Sequence, residues 1–581
     1  MISLDRWFRS GRYSLLSHAN LPEKDCEPLG VVMAPPLGWE DVCSYRPLRF
    51  LARQLARNGF PVLRFDLPGT GDSSGDALDP GLFDAWVQSV QDAAAELRAI
   101  AGLDQIAVAG VRLGAMLALI AAARGGGFTD LILWSPAATG RGLLRELRAF
   151  AGVQLGEYGR GQDAPPQPAP GFEVGGFLIS SETQHALEAV DLSSLPPMTG
   201  TRALILPRDD LPADAKLLRA LHSAGCDAQV RPGRGYAAMM AIPHEAVPPQ
   251  DTGCEIVQFL RARPSAKTRD MQPPAARVAI ADQGGGVFET IYTLSQSGVR
   301  MFGILSEPAA KAQRSKWCAL FLNPGATRHI GPNRMWVEAA RRWAARGLVS
   351  LRLDLAGIGE SDGDTVLDVE RLYQDSLVDQ VELALDTLRA RLGIHQFIAI
   401  GLCSGAFWGL HAAVRDADVR AAVLLNPRLF QWDPEVDRLR ALRRTVKGLT
   451  SFADWRRIAR GEVSAADIKR MAMEGLRARH ARSDRPFEMQ MEALDRARRA
   501  LERNHSRATI IFTEGEPLLN EMEDLGKLPP ETDPCIRAIR IPNGGHTFRP
   551  LWIQKLGHEL IDAEIGNAIH QVPECVTESR G

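Results

Sequence analysis

The residue types that covalent catalysis needs fall in one series in the second half of this chain. Cys403 stands between two glycines in Gly401-Leu-Cys-Ser-Gly405. Two carboxylates follow a strand-like run in Ala508-Thr-Ile-Ile-Phe-Thr-Glu514-Gly-Glu516-Pro. A glycine-flanked histidine closes Ile541-Pro-Asn-Gly-Gly-His546. Thiol, imidazole and carboxylate are the set in which a thiolate attacks, a base moves its proton and an acid orients the base. The other seven cysteines, at 26, 43, 226, 254, 318, 535 and 575, form no C-x-x-C pair and no metal-ligand spacing. Several sit in strand-like runs, and all seven are read as buried, reduced thiols of a cytoplasmic protein. The reading calls for no cofactor and no metal.

The elements that must position these groups occur twice. In the first copy, Gly30-Val-Val-Met-Ala-Pro-Pro-Leu-Gly reads as a buried strand running into a tight loop. A helix is predicted over 46–58, a second strand and turn over Pro61 to Gly75, a helix over 82–101, and a strand from Gln105 into the turn Gly110-Val-Arg-Leu-Gly114. In the second copy, Trp317-Cys-Ala-Leu-Phe-Leu-Asn-Pro-Gly is the first strand and loop, and a helix is predicted over 337–346. Leu348 to Gly363 is the second strand and turn, and Phe397-Ile-Ala-Ile-Gly leads into the turn that holds Cys403. The phrases Phe65-Asp-Leu-Pro-Gly-Thr-Gly-Asp-Ser and Leu353-Asp-Leu-Ala-Gly-Ile-Gly-Glu-Ser match too closely for accident. Strands alternating with helices of ten or more residues imply βαβ units and a parallel sheet. A stretch rich in proline and small polar residues, 263–276, reads as a linker. The second copy then opens with antiparallel-type strands near 277–281, 288–294 and 299–305.

On these residues the sequence resembles the α/β-hydrolase superfamily, over nearly the whole chain and twice. The loop after the first parallel strand, the Asp-Leu-x-Gly-x-Gly-x-Ser strand end and the G-x-nucleophile-x-G elbow carry the match. The resemblance implies two tandem α/β-hydrolase domains, each a mostly parallel central sheet flanked by helices, with a helical lid insert. The division expected is 1–262, the linker, and 277–570 with a lid at about 431–505. In such an elbow the nucleophile has strained backbone angles, and the residues two before and two after it must be small because strand and helix nearly touch. The resemblance makes Cys403 the nucleophile at a helix N-terminus, where the dipole favours a thiolate. Ser404 and a neighbour from Gly325 or Ala326 would supply oxyanion-hole N–H groups. The family order of nucleophile, acid and histidine makes Glu516 the acid, with Glu514 as the alternative, and His546 the base.

The first copy departs from the pattern. Arg112 stands at the nucleophile position, Tyr236 at the base position, and Asp209 or Asp210 marks the old acid site. A guanidinium cannot attack a carbonyl, so this domain is expected to be a pseudo-hydrolase. Arg112 would either pair with Asp209 or Asp210 inside the protein or hold a carboxylate or phosphate of a ligand. His244 is read as structural.

The remaining bounds are broad. The composition is 45% hydrophobic and 24% charged with a formal net charge of −2, which gives no bulk positive field for nucleic acid. No secretory signal and no membrane span are read, so the expected compartment is the cytoplasm. From Arg438 to Arg507 there are 19 Lys or Arg against 9 Asp or Glu, clustered at Arg438/Arg440/Arg443/Arg444 and Arg496/Arg498/Arg499/Arg503. That excess is either a solvated helical face or a docking surface for something acidic, such as an acyl carrier protein or the phosphates of coenzyme A. A cysteine in this fold implies an acyl-cysteine intermediate. Transfer or release of an acyl group from a thioester or ester, in a biosynthetic pathway, is therefore the expectation. Plain hydrolysis and a non-catalytic scaffold are the alternatives.

Overall fold

The computed structural model describes residues 1–157, 170–209, 211–263, 280–363, 369–436, 440 and 485–570. The chain divides into two compact units, Met1–Val366 with Asn543–Gly581, and Leu367–Pro542. The division cuts across the second sequence repeat.

The first unit holds all of the first repeat. Strands β1 (Ile2–Ser10) and β2 (Tyr13–Leu21) make an antiparallel hairpin. They are followed by β3 (Leu29–Ala34), β4 (Val62–Phe65), β5 (Gln105–Val111) and β6 (Asp130–Trp134). A small hairpin, β7 (Gly171–Val174) with β8 (Phe177–Ser180), precedes β9 (Arg202–Leu206) and β10 (Asp227–Val230). The main sheet runs β1-β2-β4-β3-β5-β6-β9-β10, parallel from β4 onward. Strands β3 to β6 are buried on both faces apart from Gln105, which is why they read as apolar runs without alternation. Helices Leu82–Ala101 and Leu113–Ala123 pack on one face and Trp39–Arg57 and Gln250–Arg261 on the other. The helix expected over 46–58 starts seven residues earlier than the pattern suggested, because Pro47 is accommodated inside it.

The same unit holds the opening of the second repeat. Strands β11 (Ile280–Asp282), β12 (Val287–Gln296), β13 (Val299–Pro308), β14 (Trp317–Leu322) and β15 (Val349–Leu353) lie in the order β11-β12-β13-β15-β14. As in the first repeat, the hairpin strand pairs antiparallel with the strand that ends in the Asp-Leu turn: Ser17 opposes Phe65, and Gly303 opposes Leu353. Helix Leu551–His570 returns to this unit. The second unit contributes four parallel strands in the order β16 (Gln396–Leu402), β17 (Val419–Leu425), β18 (Arg507–Thr513) and β19 (Ile536–Ile541). Helices Asp375–Leu392, Ser404–Arg415, Arg485–Asn504 and Pro517–Asp524 accompany them. Each repeat is thus a mixed, mostly parallel α/β sheet flanked by helices.

The repeated Asp-Leu phrase is a lock on its own turn. The Asp66 carboxylate accepts the Asp72 N–H at 2.9 Å, and Asp354 accepts that of Glu360 at 2.9 Å. The Ser73 hydroxyl donates to the Asp66 carbonyl at 2.7 Å, and Ser361 to that of Asp354 at 2.6 Å. A Cβ on Gly71 would lie 2.1 Å from the Asp66 carboxylate, and one on Gly359 2.0 Å from that of Asp354, at φ of 50° and 52°. Only glycine fits either position.

Within the first unit the two turns exchange charges. Arg64 beside the first turn binds Glu360 of the second at 2.8 Å, and Arg352 beside the second binds Asp72 of the first at 3.0 Å. Arg328 reaches Asp66 at 2.9 Å. All these side chains are buried, so their worth lies in mutual pairing: removing one partner leaves a buried charge behind. Asp5, His18 and Glu360 cluster closely enough to suggest a cation site, but Arg300 and Arg64 already neutralise the carboxylates.

Most of the expected lid, 437–439 and 441–484, lies outside the described residues, as do Arg438, Arg443 and Arg444. Arg440 is buried in an ion pair with Glu521 at 2.7 Å, which corrects its reading as part of a solvated basic face. Linker residues 264–276 and residues 158–169 of the first repeat also lie outside the described residues. Cys26, Cys43, Cys226 and Cys318 are buried thiols outside any disulfide, as expected, but Cys254 is exposed and Cys535 half-buried; Cys575 is not described. No described helix is long and apolar enough to cross a membrane.

Candidate active site

Cys403 caps the helix Ser404–Arg415 directly after β16, with φ 59° and ψ −113°. This backbone conformation is strained for a residue with a Cβ. Its N–H is held by the Leu425 carbonyl at 2.9 Å. A Cβ on Gly401 would sit 2.2 Å from the backbone of Gly405, so strand and helix touch there, as the spacing predicted. Cys403 is half-buried, and the Tyr373 hydroxyl lies 3.9 Å from its sulfur. Tyr373 is itself buried, stacked on Trp432 with centroids 5.4 Å apart and edge-on to Phe407 at 5.2 Å. Ser404 is the first residue of the helix and fully buried.

In the same unit, Glu516 follows β18 and caps the helix Pro517–Asp524. It is buried, and the Thr513 hydroxyl is 3.5 Å from its carboxylate. Thr513 is held in turn by Asn426, whose amide donates to the hydroxyl at 2.9 Å and whose oxygen accepts the Thr513 N–H at 2.8 Å. Asn426 has φ 41° at the end of β17. Glu514 is exposed, so burial separates the two carboxylates.

His546 belongs to the first unit. Its exposed side chain rides a loop closed by the Gly545 N–H on the Arg549 carbonyl at 3.0 Å. Gly325, with φ 57°, and Ala326 lie in the loop after β14, also in the first unit and half-buried. Asn323 shapes that loop by donating to the Thr327 carbonyl at 3.0 Å and to Asp354 at 2.8 Å. Cys403, Ser404 and Glu516 are therefore residues of one unit, and His546, Gly325 and Ala326 of the other.

The first repeat has the same elbow, with Arg112 where the second has Cys403. Arg112 has φ 55° and ψ −115°, within a few degrees of Cys403, and a Cβ on Gly110 would meet Gly114 at 2.3 Å. Arg112 and Tyr236 line one cavity of about 490 Å³ with Glu40, Glu146 and Arg208. The expected partner of Arg112 needs correction. Its guanidinium binds Glu40 at 2.9 Å and Glu146 at 2.9 Å, whereas Asp209 accepts the backbone N–H groups of Gly235 and Ala237 at 2.8 Å each and holds the Tyr236 turn. Asp210 lies outside the described residues. Burial raises the Glu40 carboxyl above its ordinary range despite Arg112. Glu40 and Glu146 are the residues that sequence reasoning missed. They sit 72 and 34 positions from Arg112, on different helices, and no spacing announces them.

Residues 319–556 match the family described as Alpha/beta hydrolase family, and residues 43–157 match Serine aminopeptidase, S33. The chain belongs to the α/β-hydrolase superfamily, with two hydrolase-like domains. Similar solved structures include a proline iminopeptidase from Mycobacterium smegmatis, 15% identical over 45% of this chain and 98% of that one, with a TM-score of 0.33. Est1E from Butyrivibrio proteoclasticus, bound to ferulic acid, is 16% identical over 44% and 99% of the chains, TM-score 0.32. A dienelactone hydrolase from Anabaena variabilis is 15% identical over 48% and 98%, TM-score 0.31. A comparison with curated proteins gave no match.

Proposed function

We propose that this protein transfers or releases acyl groups through an acyl-cysteine formed on Cys403. The observation that carries the reading is the strained elbow that holds the half-buried Cys403 at a helix N-terminus, with the Tyr373 hydroxyl beside its sulfur. Thiolate is favoured by the helix dipole, and a strained, pre-set backbone holds the sulfur in one direction. The burial of Glu516 at the end of β18 supports its role as the acid, and chain order supports His546 as the base.

In the reaction the Cys403 thiolate adds to the carbonyl carbon of a thioester or ester. The oxygen takes the negative charge, which backbone N–H donors stabilise; the family pattern assigns that role to Ser404 and to Gly325 or Ala326. The carbon–sulfur or carbon–oxygen bond of the donor then breaks, and the leaving group takes a proton from the His546 imidazolium. An alcohol, amine, carbanion or water, deprotonated by His546 where it carries a proton, attacks the new thioester and restores the thiolate. Water as acceptor makes the protein a hydrolase, the second reading, through the same intermediate. An acyl carrier protein or coenzyme A is a donor suited to the exposed arginines 496, 499 and 503 of helix Arg485–Asn504.

The test is intact-mass analysis after incubation with a series of acyl thioesters. A mass gain equal to the acyl group, lost in Cys403→Ala, is expected. Equal labelling of the Cys403→Ala variant sinks the proposal.

A further inference from the structure

Arg334 is buried, 6% exposed, and carries an unusual charge balance. Its Nε donates to the Gly71 carbonyl at 2.8 Å, and one terminal nitrogen, Nη2, donates to Ser73 at 2.8 Å and Gly75 at 3.1 Å. Among the described residues it has no carboxylate partner, and its other terminal nitrogen, Nη1, makes no hydrogen bond. The acids that act on it pair elsewhere: Glu338 with His558 at 3.2 Å, Asp72 with Arg352 at 3.0 Å and Glu289 with Arg341 at 2.7 Å. Burial, with Arg341 nearby, pulls the Arg334 guanidinium down to about 10. The backbone is strained as well. Asn333 and Arg334 are consecutive non-glycine residues with φ of 50° and 71°. Strain of this kind persists where surrounding structure imposes it, and it concentrates at ligand sites.

Arg334 lines a cavity of about 670 Å³ whose residues all belong to the first unit. The first repeat lines it with Trp39, Leu82, Trp86 and Phe177, together with Asp41, held by Arg328 at 3.2 Å, and the exposed Asp76. Leu78, 55% exposed, and Lys555, also exposed, are at the solvent side. The volume is that of a small-molecule site, with an apolar wall and Arg334 as the buried cation of its lining that lies outside any ion pair.

We propose that this cavity binds an amphiphilic monocarboxylate, its apolar chain along Trp39, Trp86 and Phe177 and its carboxylate on Arg334. A guanidinium with no carboxylate at ion-pair distance among the described residues favours an anion. With one terminal nitrogen left open and no second unpaired cation buried beside it, the anchor suits a singly charged carboxylate better than a phosphate dianion. The site is independent of Cys403, because a free carboxylate cannot acylate a thiol.

Dodecanoate, titrated into the full chain below its micellar concentration and followed by tryptophan fluorescence and calorimetry, tests this. One saturable site per chain is expected, with dodecyltrimethylammonium binding at least tenfold more weakly. Arg334→Gln should weaken dodecanoate at least tenfold. If that variant does not fold, Leu78→Glu decides alone: it alters an exposed side chain and should weaken dodecanoate while sparing the cationic amphiphile. Absence of saturable binding, equal affinity for the two head groups, or unchanged dodecanoate affinity in a folded variant overturns the proposal.

Discussion

The imidazole of His329 stands 2.8 Å from Asp72, a residue of the other repeat, with both side chains fully buried. Its second nitrogen lies 2.8 Å from Asp354. Two carboxylates outweigh the cost of burial and raise the imidazole to about 10, so the ring is a cation that donates from both nitrogens. The same contact holds Asp72 well below its ordinary carboxylate range. A raised imidazole stabilises fully below its unfolded value of about 6.5, and the contribution is lost as pH rises through about 10. The depressed Asp72 contributes above its unfolded value near 4 and loses it on acidification. Thermal unfolding should therefore be highest between about pH 4 and 6.5 and decline toward 10. His329→Gln should cost about 3 kcal/mol at pH 6 and flatten the alkaline decline. An unchanged alkaline slope in that variant removes His329 as its source.

Arg112→Met removes the partner of Glu40 and Glu146. Glu40 is only partly exposed and is already raised by burial, so the variant leaves a carboxylate that must either stay charged without a partner or take up a proton. We expect a loss of roughly 2–4 kcal/mol at pH 7, shrinking at pH 5 as Glu40 protonates. Urea unfolding at the two pH values reads the difference, and an equal loss at both would assign the effect to packing.

Gly401→Ala places a methyl group 2.2 Å from the Gly405 backbone. No rotamer relieves a backbone overlap, so strand and helix must separate at the elbow. Loss of acyl labelling on Cys403, with at least about 2 kcal/mol of destabilisation in urea, is expected. Labelling at wild-type rate would show that the elbow is not needed to aim the sulfur.

Tyr373→Phe deletes the hydroxyl beside Cys403 and nothing else. Iodoacetamide alkylation of Cys403, followed across pH by mass spectrometry, should show a shifted profile with unchanged thermal stability. A profile identical to wild type would limit Tyr373 to packing against Trp432 and Phe407.

The sequence by itself determined what local geometry controls. The elbows at Arg112 and Cys403 were legible because a strand-to-helix turn admits only glycine at its close approach, and the Asp-Leu-x-Gly-x-Gly phrase because its turn closes on its own aspartate. The apolar strands announced a parallel α/β sheet because both of their faces are buried. Tertiary structure alone decided which distant charges meet. Glu40 and Glu146 took Arg112 where Asp209 or Asp210 had been expected, since that choice depends on how two helices pack around the elbow. The exchange of Arg64 with Glu360 and Arg352 with Asp72, and the unpaired Arg334, arise from packing one repeat's turn against the other's. Charge partners hundreds of residues apart leave no periodicity in a chain, because pairing is set by proximity in the folded interior and not by spacing.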